Sequence, residues 1–397
     1  MSLLVIFHKE SEETIMNELA LYIHIPFCKQ KCLYCDFLSG PSNLDKVDTY
    51  IEALSKEMHS HKELIAKYQV RSIFLGGGTP SILNTAQITK VMESIYSITK
   101  KVLLPTAEIT IETNPGTLTK EKMETYQRLG INRISMGLQS THNDELKALG
   151  RIHTYEEFLE GYQLARQAGF TNINIDLMSG LPHQTPERFE TTLNRIIALS
   201  PEHISAYSLI IEEGTRFYEL YGSEKGSKLL PNEEQDRYMY HKTKELLANA
   251  GYHRYEISNY AKPGKESIHN KSYWTGIDYL GLGLGSSSLI KNRRYRNEEK
   301  MTYYLTKLQT GQPIMNLEET LSIQDQIEEF MILGLRLTQG IRLCEFQTRF
   351  GKPIIDYYKQ EIEYLTRLGM LTNQNGYLAL TESAVDVSNE ILTYFLH

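Results

Sequence analysis

The sequence of 397 residues predicts an α/β fold with a smaller second domain toward its C-terminal end. Six short β-rich runs alternate with helical patterns over the first 210 residues. Three amphipathic helical patterns and a hairpin signal follow near the end of the chain. Repeated β–α units form a parallel sheet, because parallel strands need a long crossover that is usually a helix. Six units are fewer than the eight of a closed barrel, so we expect an open (β/α)6 partial barrel of TIM type or a doubly wound sheet.

Each predicted strand is a short, mostly apolar run that ends at polar residues or glycine. The six runs are Leu21–Phe27, Ser72–Leu75, Glu108–Glu112, Arg133–Gly137, Asn172–Leu177 and His203–Leu209. Helical spacing and capping residues predict helices between them. These helices cover Lys46–Ala66, Thr119–Leu129, Tyr155–Ala168 and a segment that begins at Thr185 and Pro186. In both architectures the functional site lies at the C-terminal ends of the strands.

The patterns divide the chain into four predicted segments. Residues 1–20 are an N-terminal segment, 21–210 the α/β core, 211–312 an extension rich in tyrosine and glycine, and 313–397 a C-terminal domain. We expect the residues before Met16 to be poorly ordered, and Met16 is an alternative start of the protein. In the extension, the run Gly281–Gly285 fits a dinucleotide fingerprint poorly, so we expect close backbone packing or a loop that approaches a ligand.

The C-terminal segment resembles a winged helix, because its helical patterns are followed by a hairpin. The helical patterns cover Ser322–Leu337, Leu343–Arg349 and Pro353–Leu368, and the pair Asn375-Gly376 is a two-residue hairpin signal. The third helix carries several acidic residues, which are a poor complement to phosphate groups. We therefore expect a structural cap, and DNA binding is the alternative.

Composition and charge restrict the class of protein. The formal net charge of −7 argues against a general nucleic-acid binder. Four cysteines are too few for a disulfide framework, so we expect a reducing, cytoplasmic location. No run reaches the ~18–20 apolar residues of a membrane span, and the apolar run Leu3–Phe7 is too short for a signal peptide. Peripheral association with a membrane stays open.

Three of the four cysteines lie close together at the end of the first predicted strand. Cys28, Cys32 and Cys35 have the spacing Cys-x3-Cys-x2-Cys. Three thiolates can bind three irons of a [4Fe–4S] cluster and leave the fourth iron open to a small molecule. Zinc is the alternative, but a structural zinc site needs four ligands, and the nearby His24 lies within the strand. The fourth cysteine, Cys344, lies in an apolar helical pattern and is predicted to be buried.

Glycine and polar residues follow the next strands, at the edge where the site is expected. The run Gly76–Pro80 comes after the second strand, and its three glycines allow a charged ligand to approach the backbone. A tight turn is the alternative. Glu112, Gln139 and Asp176 are predicted to end the third, fourth and fifth strands. Together with Arg151 they offer two carboxylates, an amide and a guanidinium, which suit ribose hydroxyls and an amino-acid head group.

The cysteine triplet and the glycine run resemble the two signatures of the radical S-adenosylmethionine (SAM) superfamily. The resemblance implies a radical SAM partial (β/α)6 barrel, with a [4Fe–4S] cluster held by Cys28, Cys32 and Cys35. It also implies that the open iron binds SAM and that one electron from the cluster cleaves it. An electron donor such as flavodoxin or ferredoxin would then be a partner.

Longer runs resemble the oxygen-independent coproporphyrinogen III dehydrogenase, or oxidase-like, family. These runs are Leu21–Cys28, Asn132–Gln139, Leu149–His153, Asp176–Pro182 and Tyr255–Tyr260. In that family two SAM molecules bind. By position, the residues that would contact the first SAM are Tyr22, Gly77 and Glu112. Those that would contact the second are Tyr34, Gly78, Thr79, Gln139, Arg151 and Asp176.

Two departures bring the sequence closer to the heme chaperone branch of this family. The dehydrogenase has a fourth cysteine two residues after the third, where this sequence has Phe37, and it has a longer N-terminal extension. The run His269–Trp274 resembles a His-Asn-x-x-Tyr-Trp motif of the chaperone branch. That resemblance implies that His269 takes part in heme binding, while Tyr273 and Trp274 could pack on the porphyrin. A polar loop over the mouth of the active site is the alternative.

The expected function is a heme chaperone that binds the cluster, SAM and heme, and delivers heme to respiratory heme proteins. The alternative is an enzyme, coproporphyrinogen III dehydrogenase, which oxidatively decarboxylates two propionates on the way to protoporphyrinogen IX. Because Phe37 replaces the fourth cysteine, the sequence leaves enzyme activity open. The basic run Lys291–Arg296 could pair with porphyrin propionates, although we expect it to be a surface loop.

Overall fold

The computed structural model describes residues 16–41 and 44–396, so the predictions for residues 1–15 lie outside the described residues. The strands, in chain order, are β1 (Glu18–Ile25), β2 (Phe27–Cys28), β3 (Gly40–Pro41), β4 (Gln69–Gly77), β5 (Leu103–Thr113), β6 (Arg133–Gln139), β7 (Ile173–Ser179), β8 (His203–Ser208), β9 (His253–Arg254), β10 (Asn259–Ala261), β11 (Asp278–Leu282), β12 (Ser287–Ile290), β13 (Arg293–Asn297), β14 (Met315–Thr320), β15 (Ile341–Arg342), β16 (Leu371–Gln374) and β17 (Tyr377–Leu380). The helices are α1 (Leu44–Ser60), α2 (Lys62–Ile65), α3 (Thr85–Thr99), α4 (Lys120–Arg128), α5 (Asn143–Ala148), α6 (Tyr155–Gln167), α7 (Pro186–Leu199), α8 (Arg216–Tyr221), α9 (Glu224–Ser227), α10 (Glu233–Asn249), α11 (Ile268–Trp274), α12 (Met301–Thr310), α13 (Ile323–Gly334), α14 (Leu343–Phe350), α15 (Ile355–Arg367) and α16 (Ser388–Leu392).

The six predicted strands are confirmed as β1, β4, β5, β6, β7 and β8, and each pairs in parallel with the next. Their order in the sheet follows their order in the chain, whereas the strand order of a doubly wound sheet reverses at a switch point. The partial (β/α)6 barrel is therefore the correct alternative. The outermost strands, β14 and β9, lie at opposite ends of the sheet, so the barrel is open in the described part of the chain.

The predicted helices form between the strands, and their ends follow the expected capping. The Thr119 hydroxyl accepts a hydrogen bond from the amide of Lys122, and the Thr185 hydroxyl accepts one from the amide of Arg188. At the opposite ends of α4 and α6, Gly130 and Gly169 have φ of 79° and 94°. The helix predicted over 46–66 is divided into α1 and α2. No helix in the described part is long and apolar enough to cross a membrane.

Strands that follow the predicted core add to both ends of the barrel sheet, which the sequence did not predict, and one of them, β14, lies in the segment predicted as the C-terminal domain. β11 pairs in parallel with β1, and β12, β13 and β14 continue outward from it in antiparallel order. β10 and β9 add to β8 at the other end. The prediction of a basic surface loop at 291–296 is wrong for most of that run, because Lys291 and Asn292 form a turn and Arg293 begins β13. These strands are short and only partly apolar, so their pattern is weak.

The glycine run Gly281–Gly285 packs closely against the barrel, and this prediction is confirmed. A Cβ atom at Gly283 would lie 2.5 Å from the hydroxyl oxygen of Tyr50. A Cβ atom at Gly285 would lie 2.2 Å from Cδ2 of Leu38, in the segment that follows the cysteines. Both glycines have positive φ, and the run packs against the barrel at positions where only glycine fits.

The C-terminal domain has a hydrophobic core separate from that of the barrel. Met331, Phe346 and Leu378 are fully buried in it. β16 and β17 form the predicted hairpin, and Asn375 and Gly376 have the positive φ of 54° and 80° that a type I′ turn requires. Helices followed by this hairpin give the winged-helix-like order that the sequence predicts.

Cys344 is exposed, so the prediction that it is buried is wrong. It lies in α14, and the same helix places Phe346 in the core of the C-terminal domain. A helix turns by about 100° per residue, so two residues are about 200° apart around it. The predicted helix is correct, but Cys344 lies on its outer face.

Candidate functional site

The three clustered cysteines open onto a cavity of about 310 Å³ at the C-terminal ends of the barrel strands. The cavity is lined by most of the residues that the sequence predicts for the site. These are Cys28, Cys32, Tyr34, Cys35, Gly77, Gly78, Thr79, Glu112, Gln139, Arg151 and Asp176. Residues separated by up to about 150 positions in the chain therefore share one cavity. Tyr22 and His269 are the two predicted site residues that do not line it.

The loop that carries the cysteines is fixed to the barrel by backbone hydrogen bonds. The amide of Thr79 donates to the Phe27 carbonyl at 2.8 Å, and the amide of Leu33 donates to the Leu149 carbonyl at 3.0 Å. Cys28 is buried, Cys32 and Cys35 are half-buried, and all three are free thiols. Burial raises the pKa of the Cys35 thiol, so a metal would have to displace its proton on binding.

Cys28, Cys32 and Cys35 are the donors that the sequence predicts for an iron–sulfur cluster. Among the described residues, no three histidine, cysteine or acidic side chains lie close enough to hold one metal ion. In a [4Fe–4S] cluster each thiolate binds a different iron, so the ligands need not converge on one point. The donor set is therefore suited to three irons of such a cluster. His24, the extra ligand of the zinc alternative, instead shares a hydrogen bond of 2.9 Å between its Nε2 and the Leu38 carbonyl.

Gly77 and Gly78 bring bare backbone to the edge of the cysteine loop. The amide of Gly78 donates to the Ile25 carbonyl at 2.9 Å. A Cβ atom at Gly78 would lie 2.7 Å from the carbonyl oxygen of Phe27 and 3.0 Å from Sγ of Cys28. Gly77 has φ of 109° and would have its Cβ 2.5 Å from the His24 ring. Only glycine leaves room here for a ligand beside the cysteines.

Glu112 lies beside these glycines and has an unusual protonation state. The amide of Gly77 donates to its Oε2 at 3.0 Å. Burial, together with the negative charge of Asp176, raises the pKa of Glu112 to about 8. A bound cation would favour the ionised form of this carboxyl group, but near neutral pH its binding must first offset the cost of removing the proton.

Arg151 supplies a positive charge to the cavity. Its Nη1 lies 3.6 Å from Sγ of Cys32, and its Nη2 donates to the Gly137 carbonyl. Next to it, Oε1 of Gln139 accepts a hydrogen bond of 2.9 Å from the Tyr207 hydroxyl. Arg151 and Lys31 give the cavity cationic groups, and Glu112 and Asp176 give it acidic groups, which together suit the binding of a zwitterion.

Asp176 lies within its strand instead of at the strand's end, where the sequence predicts it. It is the fourth residue of β7, three residues before the strand ends. Its Oδ1 accepts a hydrogen bond of 2.7 Å from Asn174. Sequence reasoning missed Ser135 and Tyr207, which also line the cavity. The signal that could have found them is alternation, since both occupy positions that point into the barrel interior.

Tyr22 lies within the barrel beside the cavity. Its hydroxyl is 3.0 Å from Nδ1 of His24, and its ring stacks on Phe74 with centroids 6.2 Å apart. Burial and the charge of Glu112 raise the pKa of the Tyr22 hydroxyl well above its usual value. Tyr22 therefore stays neutral and supports His24.

Comparison with known proteins shows which family the chain belongs to. It matches the radical SAM superfamily over residues 22–196 and the HemN C-terminal domain over residues 321–387. It is 36% identical to the heme chaperone HemW of Bacillus subtilis, over 94% of this chain and 98% of the relative. The chain belongs to the HemW family. HemW of Escherichia coli is 34% identical over 95% of this chain and 98% of the relative.

The chain also resembles a solved radical SAM enzyme in fold. The structure of coproporphyrinogen III oxidase (HemN) from Escherichia coli has a TM-score of 0.83 and 25% identity, and the match covers 97% of this chain and 91% of the other. The predicted fold class and family are both confirmed. A radical SAM domain uses a [4Fe–4S] cluster and SAM, and the bound cluster supplies the electron that cleaves SAM. The thiols, bare glycine backbone and charged groups of the cavity fit these two groups.

His269, the predicted heme contact in the HemW motif, lies in the barrel interior and outside the cofactor cavity. Its Nδ1 is 3.0 Å from the Ser72 hydroxyl, and its Nε2 is 3.0 Å from the Tyr273 hydroxyl. Burial lowers the pKa of His269 to about 3, so the ring is neutral. The motif forms α11 instead of the polar loop that was the alternative interpretation. Both ring nitrogens have partners in this structure, and heme contact by His269 stays a prediction.

Proposed function

We propose that this chain is a heme chaperone, which binds heme and passes it to heme proteins of the respiratory chain. The observation that carries this proposal is the similarity to heme chaperones HemW over nearly the full length of both chains. Phe37 supports it. This residue stands where the dehydrogenase would require a fourth cysteine, and its side chain is 63% exposed at the cofactor cavity.

The proposal gives each part of the cavity a role. Cys28, Cys32 and Cys35 hold the cluster. Gly77 and Glu112 bind the amino-acid part of a first SAM, and Tyr22 supports them through His24. The residues that surround a second SAM are Tyr34, Gly78, Thr79, Gln139, Arg151 and Asp176. A flavodoxin or ferredoxin supplies the electron.

Coproporphyrinogen III dehydrogenase activity is the second candidate. The observation that favours it is the likeness to HemN, with a TM-score of 0.83 over 97% of this chain. The chain would then be an enzyme rather than a carrier. The two candidates share the cluster and SAM, so loss of the cluster does not distinguish them.

Heme titration of the cluster-reconstituted chain, beside an anaerobic coproporphyrinogen assay, distinguishes the candidates. A chaperone gives a saturable Soret band with heme and forms no protoporphyrinogen IX with SAM and reductant. Product formation at the rate of a HemN control would replace the proposal with the enzyme. Absence of saturable heme binding would reject the chaperone role.

We propose the cytoplasm as the site of action, with peripheral contact to the membrane during delivery, because the recipients are respiratory heme proteins. The four-segment division is also proposed, at 1–20, 21–210, 211–312 and 313–397. The separate cores support a last boundary between Ile314, which belongs to the barrel core, and Ile327, which belongs to the core of the C-terminal domain. Cell fractionation and limited proteolysis test these two points: recovery only in washed membranes, or no cleavage near residue 313, would count against them.

A further inference from the structure

We propose that His203 and Asn174 are positioning residues, which fix the carboxylate of Asp176 for its contact with SAM. This inference rests on the proposed role of Asp176 at a second SAM. The side chains belong to two neighbouring layers of the barrel interior, because the register of β7 and β8 sets Asn174 opposite His203 and Asp176 opposite Ser205. Asp176 lines the cofactor cavity. Asn174 and His203 are buried beside it.

The side chain of Asn174 contacts four polar groups of the barrel interior. Its Nδ2 donates to Oδ1 of Asp176 at 2.7 Å and to the Ser135 hydroxyl at 2.8 Å. Its Oδ1 accepts from the Ser205 hydroxyl at 3.1 Å and lies 2.6 Å from Nδ1 of His203. The Ser135 hydroxyl also donates to Oδ2 of Asp176 at 3.4 Å. Both carboxylate oxygens are therefore held by Asn174 and by the serine that it contacts.

The second ring nitrogen of His203 extends this set of hydrogen bonds away from the cavity. Nε2 of His203 lies 2.8 Å from the Tyr255 hydroxyl, and that hydroxyl accepts from the Ser267 amide at 3.3 Å. Burial and the positive charge of Arg133 hold the pKa of His203 well below its ordinary value. The ring is therefore neutral and carries one proton, on either Nδ1 or Nε2.

The two ends of this network determine the direction of every hydrogen bond in it. The Ser267 amide can only donate, and an ionised carboxylate can only accept. The Tyr255 hydroxyl accepts from that amide and has its own proton available for Nε2 of His203. Nδ1 of His203 then carries the ring proton and donates to Oδ1 of Asn174. This leaves the amide hydrogens of Asn174 directed at Asp176.

The network supports the ionised form of Asp176 in a buried place. Burial raises the pKa of Asp176, whereas the hydrogen bonds from Asn174 and Ser205 lower it. Without a donor at position 203, the Asn174 amide can rotate and turn its oxygen toward the carboxylate, which would repel it. A carboxylate that has lost its fixed orientation binds a hydroxyl or ammonium group of SAM more weakly, because binding must first order it.

Calorimetric titration of the full, cluster-reconstituted chain with SAM tests this inference. The site to follow is the one whose affinity Asp176→Ala lowers. His203→Phe should weaken SAM binding at this site about tenfold. In the Asp176→Ala background the same substitution should cause no further loss, because His203 acts only through that carboxylate. His203→Asn keeps an N–H donor near the place of Nδ1 and should bind SAM within about threefold of wild type.

The far end of the network can be tested with a smaller change. Tyr255→Phe removes only the hydroxyl and should weaken SAM binding about threefold. Tyr252→Phe is the matched control, because its hydroxyl donates to the Pro201 carbonyl outside the network, and it should bind like wild type. Nitrogen-15 NMR of the wild-type chain does not depend on the folding of any variant. His203 should show a protonated Nδ1 and an unprotonated Nε2.

The possible results separate this inference from the proposed function. Wild-type affinity in His203→Phe, beside weak binding in Asp176→Ala, would overturn the inference and leave the SAM contact of Asp176 in place. An equal loss from His203→Phe in both backgrounds would show a general structural role and overturn it too. A proton on Nε2 of His203 would contradict the direction of the network. Wild-type SAM binding in Asp176→Ala would reject both the contact and the inference.

Discussion

The amide of Gly77 and the carboxylate of Glu112 form a hydrogen bond of 3.0 Å at the edge of the cofactor cavity. The bond joins the glycine run after β4 to a residue near the end of β5. It fixes an acidic group beside the backbone that approaches the cysteines. Because the pKa of this carboxyl group is raised to about 8, we expect binding of a cationic ligand at this pair to depend on pH.

We predict that SAM affinity rises with pH up to about 8. The ammonium group of SAM binds the ionised carboxylate, and below pH 8 Glu112 must first lose a proton. The expected slope is about tenfold per pH unit. Calorimetry at pH 7 in buffers of different ionisation enthalpy should show nearly one proton released per SAM. Glu112→Gln should flatten the profile, while Glu124→Gln, on the exposed face of α4, should keep it. A steep profile in Glu112→Gln would contradict the assignment.

We predict that loss of any one clustered cysteine removes the iron–sulfur absorbance. Each thiol of Cys28, Cys32 and Cys35 is assigned to a separate iron, so Cys32→Ala should lower iron and sulfide content to a small fraction of wild type. Cys344→Ala is the matched control, since this thiol is exposed in the C-terminal domain. Iron and sulfide analysis after anaerobic reconstitution checks the result. Equal iron content in Cys32→Ala and wild type would contradict the assignment.

We predict that Gly78→Ala impairs both the cluster and SAM binding. The new methyl group would lie 2.7 Å from the Phe27 carbonyl and 3.0 Å from the Cys28 thiol. Relief of such contacts costs about 1–3 kcal/mol, so SAM affinity should fall about fivefold or more. Gly40→Ala, in β3 after the cysteines, is the control, because a Cβ atom there would meet nothing within 4 Å. Wild-type SAM affinity in Gly78→Ala would show that SAM binding does not need the bare backbone at Gly78.

We predict that Glu57 makes the stability of the barrel depend on pH. It is fully buried and accepts hydrogen bonds from Tyr304, Asn297 and the Gly283 amide. Burial raises the pKa of Glu57 from 4.5 to about 7. Between these values the folded chain keeps a proton that the unfolded chain has lost. The stabilisation from this group is therefore complete below pH 4.5 and is lost as the pH rises through 7.

The free energy of unfolding should change by roughly 3 kcal/mol, because each unit of the shift in the Glu57 pKa corresponds to about 1.36 kcal/mol. Urea unfolding at pH 5 and pH 7.5 measures it. Glu57→Gln cannot titrate and should lose most of this difference, whereas Glu52→Gln, an exposed residue of the same helix, should keep it. The same pH dependence in Glu57→Gln and wild type would assign the titration to another group.

Features encoded by neighbouring residues could be predicted from the sequence. The strands that carry Ile23, Ile73 and Ile111 are short runs rich in β-forming residues, and the cysteine spacing is a local signal. The capping residues Thr119 and Thr185 act over three positions. These signals identify the barrel, and the cysteines identify the place of the cofactor cavity.

Features that depend on distant residues could not be predicted. His269 is buried because Ser72, 197 positions earlier, approaches its ring. β11 contains Asp278 and Gly281 within five residues, which weakens its strand pattern, yet β1 provides a parallel partner for it. Cys344 lies on an apolar helix, but only the packing of Phe346 shows which face is inside. In each case contacts between distant residues decide the burial or pairing of the residue. No pattern among neighbouring residues in a single sequence shows those contacts.

Heme transfer is the measurement that tests the chaperone account most directly. The chain would be loaded with heme, freed of excess ligand and mixed anaerobically with the apo form of a respiratory b-type cytochrome. The account predicts that the Soret spectrum of the chain is replaced by that of the cytochrome, faster than transfer from a heme-loaded albumin control. Retention of heme by the chain, or transfer no faster than from albumin, would contradict it.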